Sequence, residues 1–375
     1  MSTRATAAML PWTLAPLLLV WSSGAPPARA DEPEQRTLNV VNWSWYIEVD
    51  DEADEELPLV LRSPVLRQFM REQNCDLSYV ELDDEGAMRD YILANPGGVD
   101  VINFSTGIVA DLASRGVLAR IDEELVPHRK DVRADLRAAI LEETWKYSTP
   151  YFVGYTGILY RKDLVSGAVR SWRQFLEPAE GQRIGLLNAP DSVFGIASLT
   201  LGHPMNTVEP AQIRAAAELV LGLRKSGRIE YLGDDLDHIA GRLRAGDLTM
   251  ALMYSGDGLG YVEEDPSGTL VFGIPAEGTD FYIDNWAISA RTKNRELAHA
   301  FIDFSLRPEI QVRQALYLLV QTVTNEGLDA LRKQHADHPY LRYLASDPDM
   351  RARTHHIHRK NGQELSALWD RIMDL

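Results

Sequence analysis

Short apolar runs that read as strands alternate with helix-like segments through two successive stretches of this chain, and that rhythm limits the folds open to it. TLNVV at 37–41 is followed by Ser63-Pro64, an N-cap and first-turn pair, and then by a helix with Val65, Leu66, Phe69 and Met70 on one face. LSYVE at 77–81 alternates as a strand should. A helix through Met88 and Ile92 follows, then a Gly97-Gly98 turn and the strand VDVIN at 99–103. A helix from about Ile108 closes at Gly116, and 121–145 reads as largely helical with Pro127 as an interruption. From 149 to 161, TPYFVGYTGILYR reads as consecutive strands, which suits a crossing between lobes. The rhythm then resumes with RIGLL (183–187), a helix after Pro190, an amphipathic helix from Pro210 to about Lys225, a helix over 235–245 closed by Gly246, and LTMALMY (248–254). LVFGIP and FYIDNWAIS read as strands returning to the first lobe, and the tail beyond Asn325 as helical and polar, without a domain's worth of core. Repeated βαβ units imply mainly parallel sheet with helices on both faces. The expected fold class is α/β in two lobes: 31–150 plus 275–325 form lobe 1, and 151–274 plus 326–375 form lobe 2.

The first thirty residues differ from the rest. Arg4 precedes an apolar run from Ala5 to Trp21, and Ala28-Arg29-Ala30 has the small-x-small pattern that a signal peptidase cuts. Pro11 and Pro16 interrupt the run, which falls short of the ~20 clean residues of a spanning helix. The lone cysteine, Cys75, cannot serve as a lipid-anchor site at the cut, so the product is expected free in the periplasm. Cleavage removes Arg4 and Arg29 and no acid, so 38 Lys+Arg become 36 against 55 Asp+Glu, a net charge of −19. Such a surface repels nucleic acid and concentrates cations. One cysteine excludes a disulfide framework, and Cys75 reads as an inert buried thiol.

In open α/β sheets, ligands bind beyond the carboxyl ends of the strands. Here those ends carry Trp43, Ser44, Trp45 and Tyr46; Ser105; Asp191 and Ser192; and Tyr254 with Asp257. FYIDNW adds Tyr282, Asp284 and Trp286 at alternate positions, hence on one strand face. Aromatic faces hold an alkyl chain and its ammonium, and carboxylates accept charged hydrogen bonds. The mixture suits an organic amine. Each residue taken singly fits a core or turn position equally well; the set carries the reading.

The order NWSWYI, VDVINFST, TPYFVGYTGILY, SWRQFLEP with NAPDSVF, GDLTMALMYSGD and FGIPAEG–FYIDNWAI–LRPE resembles the spermidine/putrescine-binding receptors of ABC importers over essentially the whole mature chain. The resemblance implies a two-lobed type II periplasmic-binding fold with hinge crossovers, closure around a small cationic amine, and delivery to an inner-membrane ABC permease, with no cofactor and a monomeric receptor. It assigns Trp43, Ser44 and Tyr46 to a first ligand loop and Ser105 to a second. Tyr254 stands where the family has tryptophan, Asp257 matches a carboxylate of putrescine receptors, and Tyr282 and Asp284 match an aromatic-x-Asp pair that grips an amine. Two positions depart from the pattern. Trp45 and Ser192 occupy places where the family has acids, with Asp191 or Glu48 as substitutes, and this predicts a ligand with fewer or differently spaced charges. Acidic residues over 48–56, Glu48, Asp50, Asp51, Glu52, Asp54, Glu55 and Glu56, form an extra stretch that reads either as a steering rim or as a solvated loop.

Rival classes find less support. Gly256-x-Gly258-x-Gly260 lacks the spacing of a phosphate loop and runs into EEDPSG without opening a helix, and no G-x-S-x-G, H-E-x-x-H or P-loop motif is present. His355, His356 and His358 lack an acid or cysteine framework for a metal and read as a solvent-facing helical cluster. A metal carrier, and a sensor docking on a membrane receptor, remain alternatives within the binding class. The exported protein is expected to begin at Asp31. Intact mass of periplasmic material checks this, and a product retaining Met1 or carrying lipid would overturn it.

Overall fold

The computed structural model describes residues 36–50, 52–345, 347–357 and 362–374; the expected signal segment, its cleavage site, Asp51 and His358 lie outside the described residues. Among the described residues the strands are β1 (Thr37–Trp43), β2 (Asp76–Leu82), β3 (Val101–Ser105), β4 (Leu118–Ala119), β5 (Ser148–Arg161) and β6 (Ile184–Leu186). They continue with β7 (Ile229–Leu232), β8 (Met250–Tyr254), β9 (Leu270–Gly273), β10 (Thr279–Ser289) and β11 (Thr354–His356). Their order is β2-β1-β3-β10-β5-β8-β6-β7, with β4 and β11 against β10 and β9 against β5. The β1–β2, β1–β3, β6–β7, β6–β8 and β10–β11 pairs are parallel, as the βαβ rhythm implies. However, β10 with β3, β4 and β5, and β5 with β8 and β9, are antiparallel. The sheet is thus mixed and not mainly parallel, because β5 and β10 run against the βαβ strands they join.

The stretch 149–161, expected as consecutive strands, is instead one strand of 14 residues, about 45 Å of chain at about 3.3 Å per residue. Its first half pairs antiparallel with β10, from Ser148 opposite Ala287 to Tyr155 opposite Phe281. Its second half, from Thr156, pairs with β8 and β9. Every residue of β5 except Arg161 is buried, so nothing along it favours a break. The strand LVFGIP, expected to return to the first lobe, stays on this second half of β5 as β9. Only β10 returns, pairing with β3 on its other edge.

Three cores follow from side-chain alternation. Val40 and Val101 face one side of the first sheet with Phe69, Trp286 and Phe301, whereas Val41 and Ile102 face the other with Phe104, Val109 and Leu112. The third core, around Leu159, Trp172, Leu186, Phe194 and Leu252, draws in Leu344, Met350 and Trp369 from the chain's end. The tail therefore does contribute core, which its mean polarity conceals: helix Gly362–Met373 is polar on one face and buries Leu365, Trp369 and Ile372 on the other. Cys75 is buried, and burial pushes its thiol up.

Three further local expectations change. Residues 121–145 form two 3₁₀ turns and two short helices in place of a largely helical run. There Arg129 reaches inward, its Nη2 donating to Ser148 O at 3.0 Å, so tertiary contacts outweigh helix periodicity. Gly256, Gly258 and Gly260 lie inside a helix, Ser255–Glu263. A Cβ on Gly256 would come 2.7 Å from Leu318 O and one on Gly258 2.5 Å from the Phe272 ring, so these two glycines allow close packing. His355 and His356 belong to β11, paired with Asp280 and Phe281, and not to a helix. Among the described residues no group of three or more His, Cys, Asp and Glu is arranged to hold a metal ion.

The tail is fastened at Gly278, which has φ +96° and would place a Cβ 1.9 Å from Arg353 O. Thr279 N–H donates to that same carbonyl at 3.1 Å, and Trp172 Nε1 donates to Gly278 O at 2.6 Å. Gly278→Ala should cost about 2 kcal/mol or more of stability, from left-handed strain plus the clash. Denaturant unfolding measures it, and an unshifted midpoint would refute the tight approach.

Candidate ligand-binding site

The β5–β10 ladder, from its middle at Asp284 to its end near Tyr282, forms the floor of the site. Tyr282 lies opposite Gly154, and a Cβ there would come 2.0 Å from the phenol oxygen, so only glycine lets the ring lie down on the strand. The Tyr254 ring, at the end of β8, meets Tyr282 edge-on at 5.3 Å between centroids and 73°. Two positions along β10, Asp284 is 7% exposed and its Oδ2 accepts the Tyr46 O–H at 2.7 Å. Tyr46 is itself fixed. Its ring packs edge-on to Tyr151 and Phe152, and its backbone carbonyl accepts from Asn42 Nδ2 at 3.0 Å. That same nitrogen donates to the Tyr79 hydroxyl at 2.7 Å. Trp286 shares the face but lies fully buried in the lobe core, not at the mouth.

Carboxyls crowd this floor. Asp257 is exposed in the first turn of helix Ser255–Glu263. Asp280 is buried and accepts the Ser192 hydroxyl at 2.8 Å and the Thr156 hydroxyl at 3.0 Å. Glu85, the first residue of helix Glu85–Ala94, accepts the Ser105 N–H at 2.9 Å. Burial pushes Asp284 up to about 7, with the negative charge of Glu85 adding to it and the Tyr46 hydrogen bond opposing. Burial likewise raises Asp257 to about 6. Glu85 and Asp280 move up for the same reason. Among the described residues no lysine or arginine charge acts on Asp257 or Asp284. Tyr254 feels Asp234, Asp280, Asp257 and Glu85, and Tyr282 feels Asp284, Asp257 and Asp280. Two tyrosines thus stand in a field of negative charge.

Of the residues singled out in the sequence, Tyr46, Tyr254, Asp257, Tyr282 and Asp284 come together here. Trp43 is half-buried at the end of β1, and Ser44 gives its N–H to Leu82 O at 3.2 Å. Trp45 stands out at the rim: it is 80% exposed with φ 61°, its N–H held by Glu81 Oε1 at 2.9 Å. Asp191 is exposed in the first turn of helix Pro190–Thr200, and the Ser192 hydroxyl is engaged by Asp280. In the acidic stretch, Glu48 pairs with Arg313 and Asp50 with Arg67 at 3.8 Å, so Glu48 faces another helix and is no substitute acid in the floor. Glu85 and Asp280 were not singled out. The signal for Glu85 was available, since Asp83-Asp84-Glu85 follows the carboxyl end of β2; Asp280 continues the Tyr282, Asp284 alternation backwards by one step.

Comparison with known proteins accounts for this architecture. Residues 65–326 match the family profile described as bacterial extracellular solute-binding protein. The chain belongs to that family. It is a solute receptor and not an enzyme, in a two-lobed fold. It is 27% identical over 311 residues to a putrescine-binding periplasmic protein of Pseudomonas aeruginosa, covering 78% of this chain and 80% of the relative. It is 30% identical over 252 residues to a spermidine/putrescine-binding periplasmic protein of Haemophilus influenzae, covering 67% and 68%. A crystal structure of a spermidine/putrescine ABC transporter substrate-binding protein from Streptococcus pneumoniae superposes with a TM-score of 0.75 at 21% identity, covering 91% of this chain and 99% of the other.

The raised carboxyls carry a pH signature. Folded values of about 7 for Asp284 and about 6 for Asp257 lie above the ordinary carboxyl value of about 4. Between those limits the folded chain holds protons that the unfolded chain has lost, so this contribution to stability falls as pH rises through the window. Asp284→Asn should therefore raise the melting temperature of the ligand-free protein at about pH 7.5 while changing it little at about pH 4. Scanning calorimetry at both pH values reads the difference, and a uniform shift or none would refute the assignment.

Proposed function

We propose that this protein captures a polyamine or related organic ammonium ion in the periplasm, between lobes formed by 31–150 plus 275–325 and by 151–274 plus 326–375. It then hands the ligand to an inner-membrane ABC permease. The observation that carries this reading is the floor itself: Asp257 and Asp284, without a basic partner, beside the faces of Tyr254 and Tyr282. Asp284, desolvated and without a basic partner, is stabilised as a carboxylate by a cation, which a bound ligand can supply, and Asp257, exposed beside the tyrosines, adds a second negative charge. The ring faces favour an alkylammonium, because a tyrosine attracts both the charge and the methylene chain. The names of the relatives, which bind putrescine and spermidine, support the same ligand class. Asp257 comes from a helix that follows β8, Asp284 from the strand shared with the first sheet, so one bound molecule can draw both parts together.

Calorimetric titration with diamines, triamines, guanidinium compounds, amino acids and metal ions tests the class. Loss of one partner in a desolvated charged hydrogen bond costs about 2–5 kcal/mol, so Asp284→Asn should weaken the best amine by about 30-fold or more. Unchanged affinity in both Asp284→Asn and Asp257→Asn would remove the amine reading.

A further inference from the structure

We propose that Glu85 joins Asp284 in a two-carboxylate socket for one end of the ligand, and that this socket selects a primary ammonium over a quaternary one. The inference rests on the amine reading above. The positions where related receptors have acids do not serve here. Trp45 is 80% exposed at the rim, and the Ser192 hydroxyl is spent on Asp280.

The backbone brings in a different acid. Ser105 is the residue of β3 that pairs with Asp284 on β10, and its N–H donates to Glu85 Oε1 at 2.9 Å. The Glu85 carboxyl is thereby fixed beside Asp284, and its charge acts on Asp284 and on Tyr254 as well. Asp84 fixes the start of the helix that carries it, accepting the Ala87 N–H at 2.8 Å. Arg89, one turn on, gives its Nε to Asp90 at 3.0 Å, and its charge offsets only part of the upward push that burial gives Glu85. Asp284 is 7% exposed, and among the described residues its Oδ1 accepts no hydrogen bond, while Oδ2 takes the Tyr46 proton.

An ionised carboxylate has about four acceptor positions, so one N–H on Glu85 and one O–H on Asp284 leave most of each pair free. A primary ammonium has three N–H donors. It satisfies both carboxylates at once and relieves their mutual repulsion; a quaternary ammonium supplies charge but no donor, and leaves the buried oxygens unsatisfied.

The experiment is calorimetric titration of wild type and Glu85→Gln with putrescine and with its fully N-methylated, bis-quaternary analogue. Gln keeps an oxygen for the Ser105 N–H, so the melting temperature should stay close to that of wild type. Wild type should prefer putrescine by at least about tenfold, and Glu85→Gln should weaken putrescine by about tenfold while changing the quaternary analogue far less. Equal loss for both ligands, or putrescine affinity in Glu85→Gln within about twofold of wild type, would overturn the socket. So would wild type binding the two ligands equally, whatever the variant does. Wild type binding neither putrescine nor any other amine would instead overturn the amine reading itself.

Discussion

The antiparallel ladder between β5 and β10 holds the molecule together as one machine. β10 ties β5 to β3 in the first sheet, and β5 is long enough for its far half to reach β8 and β9 in the second. Asp284 lies at the middle of this ladder and the Gly154–Tyr282 pair next to its end, where the chain passes from one sheet to the other. The ligand floor is thus made of the same residues that join the two parts. Neighbouring strand ends add the walls, from Tyr46 after β1, Ser105 at the end of β3 and Tyr254 at the end of β8.

What the floor gains for binding it loses in stability. A soluble protein normally pairs a buried carboxylate or lets it reach water, because an uncompensated buried charge costs several kcal/mol. Here Asp284 has one phenol partner, and Glu85 and Asp280 have short hydroxyl or backbone donors. Asp280 is the best satisfied, taking the hydroxyl protons of Ser192 and Thr156. That difference sorts the acids. Asp280 reads as the structural anchor of the second sheet, and Asp284 and Asp257 remain available to a ligand.

Much of the fold was legible because the residues that start and stop elements act locally. Ser63 caps its helix through the Leu66 N–H, Gly246 ends another with φ +82°, and both were readable from residue type alone. Tyr254 and Asp257 were legible because strand carboxyl ends are where an α/β sheet exposes side chains, and Tyr282 and Asp284 because alternation puts them on one strand face. What failed depended on distant partners. The length of β5 is set by strands about ninety or more residues away in sequence, and Gly256 and Gly258 are explained only by Leu318 and Phe272. Trp45 and Ser192 could be marked as departures, but where their side chains point is a tertiary fact. Glu85 lay in a readable acidic cluster after β2, but which of its three acids turns toward the floor is decided by Ser105, twenty residues on.

The way the chain's end is built into the second core bears on the order in which the molecule can form. Leu344, Met350, Leu365 and Trp369 are core residues of a sheet whose strands begin near residue 156, and Trp369 Nε1 donates to Asn188 Oδ1 at 2.7 Å. A polypeptide is made from its amino end, so this half lacks its last layer until Trp369 and Ile372 have been made. The first half also waits, since β10 must come back from residue 279 to cover the edge of β3. Neither half can mature as an early, independent unit. A nascent chain of this kind must keep several apolar faces unpartnered until late, which makes it dependent on whatever shields such surfaces before the ribosome lets go.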